Sequence, residues 1–359
     1  MGRPPARHPL AASGRCHLRA RSQLPGTRAV SPPSPRPETA PTPPAVRDDT
    51  AAVVVTHEPR GDFAARLATL ARGVGRTWVV DNASGAATWT TIEQAIARAP
   101  RTEGIRSPHN RGIGWALNVA AERARHAGYR WLLTLDQDSR TPPGFAAALH
   151  AWLPHAPEPD RSAVLAPLHH DPARREPPPR LERPRTTTHV MTSGNLVRLE
   201  ALEQIGGWNE QLFIDMVDHE ICWRLWDAGW QVVEVPVILP HSVGAVTVCE
   251  LAGRRFRTTN HAVWRRYMIA RNLTWLAVRH LRRRPRCVTG ELRAVARELL
   301  KALLAEPRPI EKLLRSTQGV IDGLRARLGP PPFGPASRRR RTSDRSRIQL
   351  AADAADLLS

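Results

Sequence analysis

The stretch WLLTLDQDS at residues 131–139 is an apolar run that ends abruptly in two aspartates. A short apolar run closed by turn-forming residues is typical of a strand buried on both faces of a sheet. Two earlier runs have the same form: AAVVV at 51–55 ends in THEP, and WVV at 78–80 ends in DNASG. Helical patterns follow at 63–70, 92–98 and 114–126. This alternation predicts an α/β fold with a mostly parallel central sheet.

The sequence pattern changes twice in the later part of the chain. A connection rich in Pro and Arg at 153–185 encloses one strand, and further strand and helix patterns run to about residue 240. Beyond Trp264 the pattern is helical to about Leu328. We therefore divide the chain into a disordered Arg/Pro-rich tail (1–47), an α/β domain (48–272), a helical region (273–333) and a basic tail (334–359).

The composition limits the classes of protein that fit. The formal net charge is +20, about half of it in the two tails, and Lys301 and Lys312 are the only lysines. Such a bias towards Arg is better explained by GC-rich coding than by phosphate contacts, so an Arg-rich nucleic-acid binder on an inactive fold stays an alternative only. The four cysteines form no CxxC pair, which argues against cysteine-bound zinc and disulfides and fits a reducing cytoplasm.

Polar side chains follow each predicted strand of the first half: Thr56, Asp81 and the Asp136–Asp138 pair. The carboxyl ends of parallel strands meet at one edge of a sheet, where ligands bind. Carboxylates two positions apart on an extended strand end point to the same side. Together they can hold a hard divalent cation that is shared with substrate phosphates. The other interpretation is a solvated turn that merely closes the strand.

A second acidic segment, LFIDMVDHE at 212–220, places three acids among bulky apolar residues just before a predicted helix. A carboxylate in such surroundings can have a raised pKa and act as a general base. The same acids could instead stabilise the positive end of the helix dipole. His241 follows a strand and Pro240, and it could be a metal ligand or a structural histidine.

Seven motifs occur in a fixed order: VVVTHEP, VVDNASG, NRGIGWALNVA, WLLTLDQDS, MTSGNLV, GGWNEQLFIDMVDHEICWRL and LPHSVG. This series, over about residues 51–272, resembles the inverting glycosyltransferases of family 2. LDQDS and LFIDMVDHE look most like the bacterial rhamnosyltransferases that use dTDP-L-rhamnose, and RRYMIARN is similar to their following helix. The resemblance implies a GT-A type nucleotide-sugar-binding fold, a divalent cation (Mg²⁺ or Mn²⁺), a nucleotide-sugar donor and a glycan or lipid-linked acceptor of the cell envelope.

The resemblance also implies roles for individual residues. Asp218 matches the catalytic aspartate, with Asp215 as the reserve. The implied metal ligands are Asp136, Asp138 and His241. The implied nucleotide-sugar contacts are Thr56, Asp81, Asn82, Asn110, Gly112, Asn118, Asp136, Ser193 and Gly194. Two residues depart from the family pattern, because His57 stands where Tyr is frequent and Glu58 where Asn is frequent.

The expected location is the cytoplasm, with a peripheral contact at the inner face of the membrane. The amphipathic C-terminal helices and the Arg run at 282–286 favour that contact, although packing on the catalytic domain explains them equally well. No nucleic acid is expected as a partner. A family 2 transferase with a UDP- or GDP-sugar donor is the nearest alternative.

Overall fold

The computed structural model describes residues 47–171, 177–240, 247–251 and 254–333. The predicted tails lie outside these residues, apart from Arg47, and so does His241. Ten strands are described: β1 (Arg47–Thr56), β2 (Val74–Asn82), β3 (Thr102–Ser107), β4 (Trp131–Asp136), β5 (Ser162–His170), β6 (Arg185–Thr186), β7 (Asn195–Arg198), β8 (Gln231–Pro240), β9 (Thr247–Leu251) and β10 (Arg254–Thr258).

Nine α-helices are described in the same part of the chain. They are α1 (Phe63–Ala71), α2 (Ala86–Arg98), α3 (Ile113–His126), α4 (Phe145–Ala151), α5 (Leu199–Gln204), α6 (Val217–Asp227), α7 (Val263–His280), α8 (Pro285–Ala305) and α9 (Pro309–Leu324). The predicted domain boundary at 272–273 falls inside α7, so the helical region of the structure begins at Val263.

The main sheet has the strand order β3-β2-β1-β4-β7-β5-β8-β6. Strands β3, β2, β1 and β4 run parallel to one another, β7 is antiparallel to both β4 and β5, and β8 is parallel to β5. The predicted α/β fold with a mostly parallel sheet is confirmed. Strand β1 lies between two hydrophobic clusters, with Ala51 and Val53 in one and Ala52 and Val54 in the other, which explains its unbroken apolar run.

The order of the strands reverses between β1 and β4, because the chain first builds outward through β2 and β3 and then returns to the other side of β1. Ligands bind at such a switch point. In the strand register Thr56 lies beside Asp81, and Val55 lies beside Asp136. The polar strand ends are therefore neighbours at one edge of the sheet.

Several elements were not predicted, and edge strand β3 shows why. Its sequence, TEGIRS, is largely solvent-accessible and has no apolar run. Gly104 fits beneath α2, where a Cβ atom would lie 2.8 Å from Ile96 Cδ1 and 3.2 Å from Trp89. This close approach, which the sequence pattern does not reveal, holds the strand against its helix.

Buried charges join the C-terminal helices to each other. Glu306 accepts hydrogen bonds from Arg266 Nη2 at 2.9 Å and from Lys312 Nζ at 2.7 Å. All three residues are at most 6% exposed. Because removing one partner would leave a buried charge uncompensated, this cluster fixes the arrangement of α7 and α9.

The apolar face of helix α9 is exposed. Its buried residues are polar or small: Lys312, Ser316, Gly319, Asp322 and Gly323. Its exposed large side chains are Ile310, Leu313, Leu314, Val320, Ile321 and Leu324, which recur at helical spacing on the opposite side. Within the described residues no helix is both long enough and apolar enough to cross a bilayer.

Gly319→Ala is expected to lower the free energy of unfolding by about 1–3 kcal/mol, because the added methyl group overlaps the backbone oxygen of Tyr267 in α7. Gly290→Ala is the matched control in α8, where the added atom meets nothing within 4 Å. It should raise the free energy of unfolding by about 0.5–1 kcal/mol. Urea unfolding of the full chain measures both, and equal effects would contradict the close packing of α9 on α7.

Candidate active site

Asp81 organises the turn after β2. Its carboxylate accepts hydrogen bonds from Thr56 Oγ1 at 3.0 Å and from the Ser84 backbone N–H at 2.8 Å, and the Ser84 hydroxyl donates a third. Asp81 and Thr56 are fully buried. The two predicted nucleotide residues are thus brought together, and they shape the floor of the sheet edge.

Asn82 connects this turn to the loop before α3. Its side chain donates to the Gly112 carbonyl at 3.0 Å and accepts from the Arg111 N–H at 3.2 Å. Asn110 Oδ1 accepts from the Gly112 N–H at 3.0 Å. Gly112 has φ 88°, and a Cβ atom there would lie 2.5 Å from the Phe213 carbonyl oxygen. Asn82, Asn110 and Gly112 therefore form one unit, in which only glycine fits the third position.

Asn118 lies apart from this unit. Its Nδ2 donates to the Trp208 carbonyl at 2.9 Å, and its Oδ1 accepts from the Trp208 N–H at 2.8 Å. The side chain also donates to Glu210. These contacts anchor the segment before α6, so the structure gives Asn118 a supporting position at the back of the site.

His57 and Glu58, the two residues that depart from the family pattern, both form hydrogen bonds in the structure. Glu58 accepts from the Gly85 N–H at 2.8 Å and from Thr88 Oγ1 at 2.7 Å, at the N-terminus of α2. The backbone N–H of His57 donates to Gln137 Oε1 at 2.7 Å. His57 therefore links the ends of β1 and β4, and Glu58 fixes α2.

The Asp136–Asp138 pair closes β4 at the switch point. Asp136 is half-buried, and its N–H donates to Ser193 Oγ at 3.2 Å. Ser193 in turn bonds Ser139, which closes the turn. Asp138 is exposed and forms no hydrogen bond or salt bridge with any other residue that the structure describes. One carboxylate is thus held in place, and the other is available to a ligand.

Ser193 and Gly194 meet this turn from the β7 side. Gly194 has φ 88°, and its N–H donates to the Thr134 carbonyl at 2.7 Å. A Cβ atom at Gly194 would lie 2.6 Å from Leu239 Cδ2 and 2.8 Å from Pro167 Cγ. The predicted donor-pocket residues are therefore packed directly behind the acidic turn. The predicted ligand His241 lies outside the described residues.

The second acidic cluster follows a strained segment. Phe213, Asp215 and Met216 have φ values of 65°, 64° and 61° without being glycine. Each such residue costs about 1–3 kcal/mol and persists only where its surroundings enforce it. Asn272 Nδ2 enforces this segment, because it donates to the carbonyls of residues 212, 214 and 215 at 2.9, 2.8 and 2.9 Å.

Asp215 and Asp218 have different partners. Arg265 of α7 binds the Asp215 carboxylate with Nη2 at 2.9 Å and Nε at 3.2 Å. Asp218 Oδ1 accepts from the backbone N–H and from Nδ1 of His219, both at 2.9 Å. No described residue occupies Asp218 Oδ2. Asp215 is thus committed to an ion pair with an arginine, whereas Asp218 pairs with a histidine through one oxygen only.

The charges around Asp218 and its burial shift the pKa of its carboxyl group in opposite directions. Burial alone would raise the pKa of Asp218, but the charge and hydrogen bonds of His219 outweigh it and hold that pKa below its ordinary value. Burial likewise opposes protonation of His219, yet Asp218 and Glu291 raise its pKa to about 10. At neutral pH the two residues therefore form an ion pair.

Arg265 is a site residue that the sequence analysis did not single out. Burial would lower its pKa, but Asp215, Asp136 and Asp218 together raise it. The guanidinium therefore lies within electrostatic range of both acidic clusters, which are far apart in the sequence. The motif RRYMIARN contains Arg265, but a basic residue at a helix start carries no sign of its partner.

The comparison with known families identifies this arrangement. The model of "Glycosyl transferase family 2" matches residues 64–206. The chain is a glycosyltransferase in which this segment is similar to family 2. The sheet-edge site lies within and beside that segment, and the fold is of the predicted GT-A type.

Individual relatives of this glycosyltransferase are distant. The chain is 25% identical over 301 residues to "dTDP-rhamnosyl transferase RfbF" of Shigella flexneri, covering 77% of this chain and 96% of the relative. It is 28% identical over 263 residues to the "N-acetylglucosaminyl-diphospho-decaprenol L-rhamnosyltransferase" of Mycobacterium tuberculosis, covering 59% and 85%. A solved structure, the mannosyltransferase PcManGT of Pyrobaculum calidifontis with GDP-Man and Mn²⁺, aligns at 16% identity and a TM-score of 0.47, covering 78% of this chain and 82% of that chain. None of these comparisons supports a nucleic-acid binder.

Asn272→Asp is expected to lower the free energy of unfolding by at least about 2 kcal/mol, because an acceptor replaces the donor that serves three carbonyls. Asn209→Asp is the matched control, since Asn209 uses its side-chain oxygen to accept from the Gln211 N–H at 3.1 Å. That variant should change the value by less than about 0.5 kcal/mol. Urea unfolding compares the two, and a tolerated Asn272→Asp would show that Asn272 does not hold the strained segment.

Proposed function

We propose that this glycosyltransferase moves L-rhamnose from dTDP-L-rhamnose, with inversion and with the help of a divalent cation, onto a lipid-linked glycan of the cell envelope. The observation that carries the proposal is the position of Arg265. One guanidinium lies within electrostatic range of Asp136, which closes the switch-point strand, and of Asp218, which keeps a free oxygen. Inverting transfer requires a base on one side of the reacting sugar and a cation site at the leaving diphosphate on the other side.

Asp136 and Asp138 fit a divalent cation. The exposed Asp138 carboxylate forms no hydrogen bond with the described residues, although its charge acts on Arg66, and the backbone N–H of Asp136 beside it is fixed by Ser193. Two carboxylates that leave room for phosphate oxygens and water match what Mg²⁺ and Mn²⁺ bind. His241 is proposed as a third ligand from the family resemblance. When bound, the cation offsets the negative charge that builds on the leaving diphosphate.

Asp218 acts as the base in this scheme. Its Oδ2 takes the proton of the acceptor hydroxyl while the hydroxyl oxygen forms a bond to the anomeric carbon of the donor. The bond from that carbon to the diphosphate breaks, and its electron pair leaves with the nucleoside diphosphate. Attack from the side opposite to the leaving group inverts the anomeric centre. His219 holds the other carboxylate oxygen in position, at 2.9 Å.

The nucleoside is proposed to lie over the unit formed by Asn82, Asn110 and Gly112, beside Thr56 and Asp81. Ser193 and Gly194 would form the wall of the sugar pocket, and Asn118 would support the pocket from behind. The names of the two curated relatives, both rhamnosyltransferases, favour L-rhamnose. A UDP- or GDP-sugar donor is the second candidate, because the sheet edge is common to the whole family.

The acceptor is proposed to be reached from a membrane surface. The M. tuberculosis relative is named for a decaprenol-linked acceptor. In this chain the exposed large hydrophobic side chains lie, with one exception, between Val278 and Leu324 of the described residues. Exposed arginines 308, 325 and 327 lie at the two ends of α9, where Arg308 pairs with Glu311 and Arg327 with Asp322. An apolar stripe edged with cations fits an interface with anionic lipid.

The nucleotide test compares two aspartates that have different tasks. Binding of dTDP, measured by calorimetry on the full chain, should strengthen with Mn²⁺ in the wild type. Asp138→Ala should lose that gain, by about tenfold or more, because a cation ligand is missing. Asp218→Asn should keep the gain but slow transfer from dTDP-L-rhamnose to a synthetic polyprenyl-diphosphate sugar by about 100-fold or more, because the base is missing.

Other results would change or reject the proposal. Tighter binding of UDP or GDP would keep the transferase and replace the donor. A folded wild-type chain that binds no nucleoside diphosphate would reject the transferase, and unchanged transfer by Asp218→Asn would reject the assigned base.

The membrane test uses vesicle sedimentation of the full chain. Vesicles with anionic lipid should bind more protein than zwitterionic vesicles, and Ile310→Glu/Leu314→Glu should abolish the difference because charges enter the apolar stripe. Met191→Glu is the matched control, since Met191 is an exposed apolar residue outside the helical region. If the double variant binds vesicles normally but removes self-association in light scattering, the stripe is an interface between two copies, and the membrane proposal is wrong.

A further inference from the structure

Three potential metal ligands lie close together. His219 is one of them, and the other two lie on the side of its ring that faces away from Asp218. They come from three separate segments: His189 from the loop after β6, His219 from α6 and Glu291 from α8. One ligand atom of each lies within 4.8 Å of the other two. None of the three belongs to the cation site at Asp136 and Asp138.

The distances fit one small cation. His219 Nε2 is 3.4 Å from Glu291 Oε2, and His189 Nε2 is 3.7 Å from Glu291 Oε1. A tetrahedral ion with bonds of about 2.1 Å separates neighbouring ligand atoms by about 3.4 Å. Each Nε2 atom lies nearest a different oxygen of the Glu291 carboxylate. The imidazole rings stack with centroids 4.1 Å apart and planes 19° apart, so ion binding must tilt the rings until both in-plane lone pairs point at the ion.

The other nitrogen of each ring already has an oxygen partner. His219 Nδ1 pairs with Asp218 Oδ1 at 2.9 Å, and His189 Nδ1 pairs with Thr188 Oγ1 at 3.2 Å. Metal-bound histidines show this pattern, in which an outer oxygen orients the ring and leaves the second nitrogen for the ion. His219 Nε2 is buried, and in the described part of the chain its polar partner is the Glu291 carboxylate at 3.4 Å.

The cluster is closed on one side and open on the other. The side chains of His219 and Glu291 are 13% and 20% exposed, while that of His189 is 38% exposed. Solvent can therefore deliver an ion past His189 and supply its remaining ligand. Two imidazoles and one carboxylate with an open position are a ligand set that zinc uses.

We propose that His189, His219 and Glu291 bind a single Zn²⁺ ion next to the base, as a site separate from the diphosphate cation. The ion replaces a proton on His219 Nε2, because the carboxylates of Asp218 and Glu291 attract either one. Whether Nε2 of His219 carries the proton or the ion, its Nδ1–H still donates to Asp218. The ion would also tie α8 of the C-terminal region to α6, which carries the base.

Zinc binding to the full chain, freed of metal with a chelator and without nucleotide, tests the site. Calorimetry with Zn²⁺ should show one tight site per chain, and Co²⁺ in its place should give the strong visible absorption of a tetrahedral ion. His189→Ala and Glu291→Gln should each weaken the site by more than about tenfold. Asp218→Asn should weaken it by about 10- to 100-fold, because the amide oxygen that replaces the carboxylate carries no negative charge towards the His219 ring.

Two variants control for other sources of binding. His126→Ala removes an exposed histidine from α3, and Asp138→Ala removes the diphosphate cation site, so both should leave Zn²⁺ affinity unchanged. Because His189 is accessible to solvent, its replacement should leave the circular dichroism spectrum and the melting temperature of the metal-free chain unaltered. Absence of tight Zn²⁺ binding, or equal binding by wild type, His189→Ala and Glu291→Gln, would overturn the proposal whichever donor sugar the enzyme uses.

Discussion

The contact between α7 and the strained segment before α6 is the constraint on which the acceptor side of the site depends. Without the donors of Asn272, the carbonyls of residues 212, 214 and 215 would each lose a hydrogen bond, and less would offset the strain of the left-handed residues at 213, 215 and 216. The segment sets where α6 begins, and α6 carries Asp218 in its first turn. Arg265, from the same helix, neutralises Asp215. A helix outside the main sheet thus pairs with Asp215 and leaves Asp218 without an arginine partner.

The donor side depends on a different principle. The reversal of strand order between β1 and β4 creates the crevice, and the strand register brings Thr56, Asp81 and Asp136 to its rim. Side chains from the next turns then fix the rim, as Asn82 does for Gly112 and Ser193 does for Asp136. The two halves of the site are therefore built separately, the first by sheet topology and the second by helix packing. Arg265 is where they meet.

This division explains how much the sequence could predict. The parallel strands and the acids at their ends follow from local patterns, because a doubly buried strand must be apolar and must end in a turn. Edge strand β3 lacks that pattern and was missed. Arg265 and Asn272 were not recognised because their importance lies in partners about 50 and 60 residues away. The orientation of α9 was also beyond the sequence, since an amphipathic helix shows that two faces differ but not which face is inside.

Helix α7 has a further consequence, which concerns its length and phase. Arg265 and Asn272 are two helical turns apart, so they point to the same side and act on one segment. A substitution elsewhere on this stretch leaves that alignment intact. An insertion of one residue between them would rotate one contact away from the other by about 100°. Relatives that keep this mode of support can therefore vary the exposed positions of the helix, but they must preserve the spacing of these two residues.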